Sequence, residues 1–375
     1  MRTLVVGGGV AGLALASRLC QQGRPPVVVE RSTASGDGYA ISLYPMGSSV
    51  LHGLGSYPAL QATSLEARRY VLADHRDRTM QAIDLSVLTD QAAPMLTVSR
   101  SDLLEVLEST AGAADIRRGV TVRSISQTPD AVVVDLDDGA RETFDLVVGC
   151  DGMASPTRDA VMGRPGSYDS GWALWTWWDE AAGFDPEVMR EWWGDDWFFG
   201  AYPAPGAVMC AAGAPAGSGR DDGDPGDQVR SRLAGLADQV PAVAAAVQRI
   251  ERPYWWPMRD VRSPRWVERR VALCGDAAVG FLPTAGVGAS CALRTAAGLA
   301  DELSRADAAT APAALERYQR RCRSNVERSQ TESRRLARAM FLSRPSLSWV
   351  RDQIVRRIPA ALMLRQIIES SNQPL

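Results

Sequence analysis

Thr3 to Val6 is a short apolar strand that runs straight into Gly7-Gly8-Gly9-Val10-Ala11-Gly12. Apolar residues then recur at helical spacing from Leu13 to Gln22, and a second strand spans Pro26 to Glu30. A crossover helix of this kind joins parallel strands, so the unit commits the chain to an α/β fold with a parallel sheet. Gly7 permits the tight turn. Gly9 clears space for a pyrophosphate against the N–H groups of Val10 and Ala11 at the helix start, and Gly12 lets helix and strand pack closely. Glu30, followed by Arg31, ends the second strand where a carboxylate can receive ribose hydroxyls. The unit reads as a dinucleotide site and leaves FAD and NAD both open.

A second glycine and aspartate fingerprint, V-A-L-C-G-D-A-A-V-G-F-L-P-T-A-G-V-G-A-S, runs from Val271 to Ser290. The apolar strand Val271 to Cys274 delivers Gly275-Asp276, a carboxylate at a strand end suited to the hydroxyls of a ribityl or ribose chain. Pro283 stiffens a turn before Gly286-Val287-Gly288, whose N–H groups at a helix start suit a ring that becomes anionic when reduced. The pair of fingerprints therefore reads as a flavin site. Arg100 opens a helical stretch to Thr110, where its guanidinium would clamp a pyrophosphate or stand solvated on the surface. Alternating apolar residues between Gly119 and Cys150 read as a β-meander, and Asp151-Gly152 follows as another acid at a strand end.

All 41 basic residues are arginine. Without a lysine the chain has no means for Schiff-base chemistry or P-loop nucleotide hydrolysis. A formal charge of -3 with scattered arginines argues against nucleic acid as a partner. Six cysteines with no C-x-x-C pair read as reduced core thiols, and no segment has the apolar length of a membrane span. The expectation is a cytoplasmic monomer or homodimer with no metal and no membrane insertion.

All of the 11 tryptophans except Trp349 lie between Trp172 and Trp266, so this stretch is a separate unit, read as a mixed sheet with aromatic faces. Trp172 to Trp178 and Trp197 to Pro203 look like strands, Gly217 to Asp227 a polar loop, and Val229 to Leu236 a helix. Such a density of aromatics favours some of them lining an apolar cavity: Trp175, Trp177, Trp193 and Phe199, with Pro283. Beyond Ala296 the chain turns helical. Leu315 to Phe341 reads as one long arginine-rich helix, and Trp349, Ile354, Ile358, Leu362 and Ile367 suggest a final helical region.

Taken in order, G-G-G-V-A-G with Glu30-Arg31, Arg100, C-D-G at 150–152 and C-G-D-A-A…P…G-V-G at 274–288 resemble the single-component FAD-dependent aromatic hydroxylases of the para-hydroxybenzoate hydroxylase fold. The resemblance covers residues 1 to about 340. It implies an α/β, Rossmann-like FAD-binding domain with a β-meander over 1–70, 95–165 and 266–305, interleaved with a mixed-sheet substrate-binding domain over 71–94 and 166–265 and followed by a helical C-terminal region over 306–375. It further implies that Gly7, Gly9, Gly12 and Glu30 hold the adenosine half of FAD, and that Arg100 and Asp276 meet the pyrophosphate and ribityl chain. Gly286 to Gly288 would face the isoalloxazine, and Asp151-Gly152 matches a motif associated with both FAD and NADPH. Val279 stands where the family usually has His, and Ser290 and Thr295 stand where Asn and Asp are common.

The implied activity is a monooxygenase in specialised metabolism: NADPH or NADH reduces the flavin, O2 gives a C4a-hydroperoxide, and one oxygen atom passes to an aromatic or polycyclic small molecule. An epoxidase or Baeyer–Villiger oxygenase would use the same peroxide, and a redox-inactive FAD-bound scaffold or cyclase is the alternative from another class. Flavin halogenases depend on a lysine that is absent here. No catalytic base stands out, since His52 and His75 fall outside every motif; Arg259 or Asp260 could contact substrate, though an ordinary surface ion pair is the first reading.

Overall fold

The computed structural model describes residues 1–34, 38–91, 93–180, 183–216, 224–251 and 253–362. Its first layer is a six-stranded sheet in the order Val267–Glu268, Val271–Leu273, Leu146–Gly149, Thr3–Val6, Val27–Glu30, Asp115–Arg118. All neighbours are parallel except the short edge strand Val267–Glu268. The central strands are apolar on both sides because both sides are covered. Val5, Val28, Leu146 and Val148 meet the helices Val10–Gln21, Arg100–Thr110 and Gly288–Ser304. Leu4, Val6, Val27, Val29 and Val147 meet Val132, Val134, Leu136 and Phe144 of the antiparallel meander Val122–Gln127, Val132–Leu136, Arg141–Phe144.

A seven-stranded sheet forms the second layer, ordered Tyr254–Val261, Ser167–Asp179, Ala207–Pro215, Phe198–Ala204, Val188–Trp193, Arg69–Asp74, Thr79–Asp84. It is antiparallel apart from the pairing of Val188–Trp193 with Arg69–Asp74. Period-two alternation sorts its aromatics onto two faces. Trp175, Trp177, Trp192 and Phe199 point outward and pack on Val229, Leu233, Val243 and Val247 of the helices Pro225–Ala237 and Pro241–Gln248. Trp172, Leu174, Trp193 and Phe198 point inward, toward Leu282 and Met340. A three-stranded sheet of Ala40–Leu43, Leu96–Ser99 and Ser64–Glu66 lies at the junction.

The long helix Ala311–Met340 ties the layers together. Its Tyr318 hydroxyl donates to the Leu273 carbonyl at 2.9 Å, and its Gln330 amide donates to the carbonyls of Val261 and Gly280 at 2.8 and 2.6 Å. Arg334 forms a two-pronged pair with Asp260 at 2.8 and 2.6 Å, although Asp260 reads from sequence as a surface residue; it is 1% exposed. Arg259 next to it does behave as a surface group, pairing with Asp169 at 2.8 Å. The helix starts four residues earlier than apolar spacing indicates, and Pro345–Val355 follows it. Ile367 and most of the Gly217 to Asp227 loop lie outside the described residues. Among the described residues no helix is long and apolar enough to cross a membrane.

Because Asp260 is fully enclosed, Arg334→Ala would strand its carboxylate. The expected cost is about 3 kcal/mol in denaturant unfolding. The double variant Asp260→Asn with Arg334→Ala should recover part of it, and an unchanged midpoint in the single variant would show the pair to be dispensable.

Candidate active site

The glycine turn is built by backbone crowding. Gly7 has φ +109°, and a Cβ there would stand 2.4 Å from the Cys150 carbonyl oxygen; a Cβ on Gly12 would stand 1.9 Å from the Gly7 oxygen. At Gly9, by contrast, a Cβ would meet nothing within 4 Å, so the turn opens onto free space where a phosphate would lie. Gly9 precedes the helix Val10–Gln21 without a side-chain cap, and the first returning bond runs from Leu13 N–H to the Gly9 carbonyl at 2.9 Å. The N–H groups of Val10, Ala11 and Gly12 are therefore left to a ligand. Glu30 accepts from Gly8 N–H at 2.7 Å and Ser32 N–H at 2.8 Å, which fixes its carboxylate at the rim with Arg31 exposed beside it.

Gly275 brings the second fingerprint onto the first. It adopts φ +63°, and a Cβ there would come within 2.7 Å of the Ala11 Cβ and 3.5 Å of the Ala292 Cβ. The two helix starts thus converge on one residue. Asp276 follows in a short 3₁₀ turn, half-buried, with no hydrogen bond to it among the described residues. Desolvation alone pushes its carboxyl from the ordinary 3.8 up to about 6. Asp276 and Arg100 both act on the Tyr39 hydroxyl, whose pKa is raised by desolvation first, so acid, guanidinium and phenol lie near one another. Arg100 is the first residue of its helix, with the Ser99 side chain capping the turn from Asp102 N–H at 3.0 Å.

Beyond Asp276 the chain turns through Pro283–Ala285 into Gly286 at φ +63°. The helix Gly288–Ser304 also lacks a side-chain cap, and its first return bond runs from Cys291 N–H to the Val287 carbonyl at 2.9 Å. The N–H groups of Gly288, Ala289 and Ser290 make a second anion-tolerant helix start. The pieces fit a flavin dinucleotide: two uncapped helix starts, an unpartnered carboxylate between them and a cradle that Cβ atoms would fill.

Several sequence expectations are placed elsewhere. Asp151 accepts from the Ser155 hydroxyl and from Thr157 N–H at 2.9 Å, so its carboxylate braces the helix Pro156–Met162. The buried Arg158 completes that brace by donating to the carbonyls of Ala277 at 3.1 Å and Met153 at 2.9 Å. Trp175, Trp177 and Phe199 face the outer helices, away from the cofactor domain, because strand alternation gives them the parity opposite to the inward residues. Of the expected substrate aromatics only Trp193 points inward, and Pro283 is exposed at the loop. Val279, Ser290 and Thr295 are core residues: Val279 is 1% exposed, Ser290 accepts from Tyr44 N–H at 3.1 Å, and Thr295 donates to the Cys291 carbonyl at 2.9 Å. His52 stacks on Tyr57, and His75 lies at a turn between the strands Arg69–Asp74 and Thr79–Asp84. Sequence reasoning missed Tyr39 and Tyr44, which carry no motif, and an acid, Glu191, in an inward position of the strand Val188–Trp193 between Met189 and Trp193.

Fold and site together define a two-layer FAD-binding oxidoreductase of the aromatic hydroxylase type. The chain belongs to the FAD binding domain family, whose pattern matches residues 1–333. It is 29% identical over 370 residues to the aurachin C monooxygenase/isomerase of Stigmatella aurantiaca, spanning 95% of this chain and 94% of that one. It is 32% identical over 309 residues to the 3-amino-4-hydroxybenzoate 2-monooxygenase of Streptomyces cremeus, spanning 78% and 76%. The fold matches Klebsiella pneumoniae HpxO complexed with FAD and uric acid at a TM-score of 0.89, with 23% identity over 99% of this chain and 96% of that one. The protein is accordingly a FAD-dependent monooxygenase that uses NAD(P)H.

Asp276 exposes the site to a pH test. Its raised pKa means that the folded protein holds a proton that the unfolded chain releases between about pH 4 and pH 6, so stability falls across that window as pH rises. In FAD-free protein Asp276→Asn should therefore stabilise by about 1–3 kcal/mol at pH 7 and by nothing at pH 4. FAD affinity should drop in the same variant. Equal stability of variant and parent at both pH values would contradict the assignment.

Proposed function

We propose that the chain oxygenates a neutral or weakly acidic aromatic or polycyclic small molecule in specialised metabolism, with FAD held across the two fingerprints. The carrying observation is the convergence of two uncapped helix starts and the unpartnered Asp276 on Gly275. In this reading Gly7, Gly9 and Gly12 shape the pyrophosphate site, Val10 and Ala11 donate to it, and Arg100 supplies the positive charge. Glu30 with Arg31 takes the adenosine ribose, and Asp276 takes ribityl hydroxyls. Gly286, Val287 and Gly288 let the backbone approach the isoalloxazine, with the helix start favouring negative charge on the ring. Asp151 serves indirectly, as the brace of the loop beside Gly7.

When bound, FAD supplies hydride acceptance from NAD(P)H and activation of O2. The chain's own residues have a different task, to seat the substrate and keep the site dry. The inward aromatics Trp172, Trp193 and Phe198 line the inner face of the seven-stranded sheet with Leu282 of the second fingerprint, and Phe341 stacks on Trp172 at 4.4 Å between ring centroids. Trp178 closes one side by donating to the Gly38 carbonyl at 2.6 Å. The relatives support an aromatic substrate: one is named for aurachin C and another for 3-amino-4-hydroxybenzoate.

The test is direct. The purified protein should be yellow, should bleach on anaerobic mixing with NADPH or NADH, and should consume O2 when air is readmitted, faster when a suitable aromatic is present. A yellow protein that neither nucleotide bleaches would overturn the oxygenase reading, and a colourless one that cannot be reconstituted with FAD would overturn the cofactor assignment as well.

A further inference from the structure

Glu191 sits two residues before Trp193 on the inward face of the seven-stranded sheet and is 9% exposed. Three donors converge on its carboxylate. The Tyr70 hydroxyl donates to Oε2 at 2.8 Å, the Trp193 indole N–H to the same oxygen at 3.0 Å, and the Tyr202 hydroxyl to Oε1 at 2.7 Å. Both tyrosine pKa values are raised well above the usual range, by burial first and then by the Glu191 charge, so both stay protonated and act as donors to it. A third tyrosine completes the group. Tyr44 lies close enough for Glu191 to act on it, its pKa is pushed up to about 12 by burial, and its hydroxyl donates to the Ala285 carbonyl at 2.9 Å.

The location is the junction of the molecule. Tyr44 packs on the cofactor-domain core, Tyr70 and Tyr202 pack on the inward aromatic face, and all three share the small cluster around Met95 and Met189. A Cβ on Gly286 would stand 3.6 Å from the Tyr44 ring, so the group begins beside the glycine loop assigned to the flavin ring. The three tyrosines are nevertheless only half-buried, so part of each remains accessible.

Hydrogen-bond inventory gives this wall its character. A tyrosine hydroxyl has one proton and two lone pairs, and an indole N–H has a single proton. Tyr70, Tyr202 and Trp193 each direct that proton to Glu191, and Tyr44 directs its own to a carbonyl. What the tyrosines have left is lone pairs alone. No arginine is among the groups that act on them, and the charge they feel is that of Glu191.

We propose that the Tyr44, Tyr70, Tyr202 and Glu191 wall is the polar recognition surface for substrate. It selects a neutral aromatic bearing hydrogen-bond donors, a phenolic O–H or a ring N–H, and rejects aromatic carboxylates. Such a donor finds lone pairs fixed in place by Glu191, whereas a carboxylate meets lone pairs and a buried negative charge with no donor to answer it. The assignment rests on the oxygenase reading for its setting, since that reading puts substrate between this wall and the flavin loop.

Calorimetric titration of the FAD-loaded protein with 4-hydroxyquinoline and quinoline-4-carboxylate tests it, because the probes share a ring system and differ in the polar group. The wild-type protein should bind 4-hydroxyquinoline at least about tenfold more tightly. Glu191→Gln places an amide N–H against one tyrosine and turns that hydroxyl into a donor toward the recess, so the preference should shrink by about tenfold. Tyr70→Phe and Tyr202→Phe keep the rings, and each should weaken 4-hydroxyquinoline by about tenfold while leaving the carboxylate unaffected; they decide the matter if Glu191→Gln does not fold. Equal or tighter wild-type binding of the carboxylate, no binding of 4-hydroxyquinoline, or an unchanged ratio in the folded variants would overturn the proposal. Bleaching by NADPH, followed in the same samples, separates the two readings: a protein that bleaches but shows no preference refutes the recognition wall alone.

Discussion

Everything in the cofactor half depends on three stretches of backbone approaching so closely that side chains are excluded between them. The Gly7 carbonyl lies where a Gly12 Cβ would go, the Cys150 carbonyl lies where a Gly7 Cβ would go, and the Ala11 methyl lies 2.7 Å from where a Gly275 Cβ would go. Such contacts are steric and admit no partial version. Once they are made, the parallel register of Thr3–Val6 with Leu146–Gly149, and of that strand with Val271–Leu273, brings three strand ends to one edge of the sheet. Two helix starts and one unanswered carboxylate then face the same space. The ligand site follows from the packing.

The second layer is held to the first through the helix Ala311–Met340. Gln330 satisfies carbonyls on both sides of the seam, Val261 in the aromatic sheet and Gly280 in the cofactor loop, with a single buried amide. Ser333 donates to the Leu282 carbonyl at 3.1 Å and accepts at its own carbonyl from the Thr284 hydroxyl at 3.0 Å, so the turn before Gly286 is fastened to the same helix. The geometry of the loop leading to Gly286 is thereby set by a helix that contributes none of the fingerprint residues.

How much of this was legible varies by the kind of signal. The glycine turn, Asp276 and the helix after Gly288 could be read because each needs a particular residue in a short local context. Aromatic density correctly marked a separate sheet, but Trp175 and Trp177 were read as cavity residues when they face outward. Alternation assigns Trp175 and Trp177 to one face and Trp172 and Trp178 to the other; which face meets the cofactor is decided by where the helices Pro225–Ala237 and Pro241–Gln248 land. Asp151 reads as a ligand from its strand-end position, and the structure adds that Ser155 and Thr157, four and six residues on, donate to its oxygens. Glu191, Tyr70 and Tyr202 come from three strands and meet only through the sheet's register, so no linear spacing announces them. Val279, Ser290 and Thr295 depart from the family pattern at positions that the structure fills with packing, and Ser290 even holds the backbone of Tyr44.

The division of the aromatic sheet into two faces also has an optical consequence. Trp192 and Trp193 are adjacent in the chain, but one is sealed among the outer helices and the other faces the cofactor layer with its N–H on Glu191. Indole emission from the two faces therefore reports two environments. The inner set, with the Trp193 indole on Glu191, is the one that senses changes at the junction. The outer set, packed on the helices Pro225–Ala237 and Pro241–Gln248, reports on that layer instead.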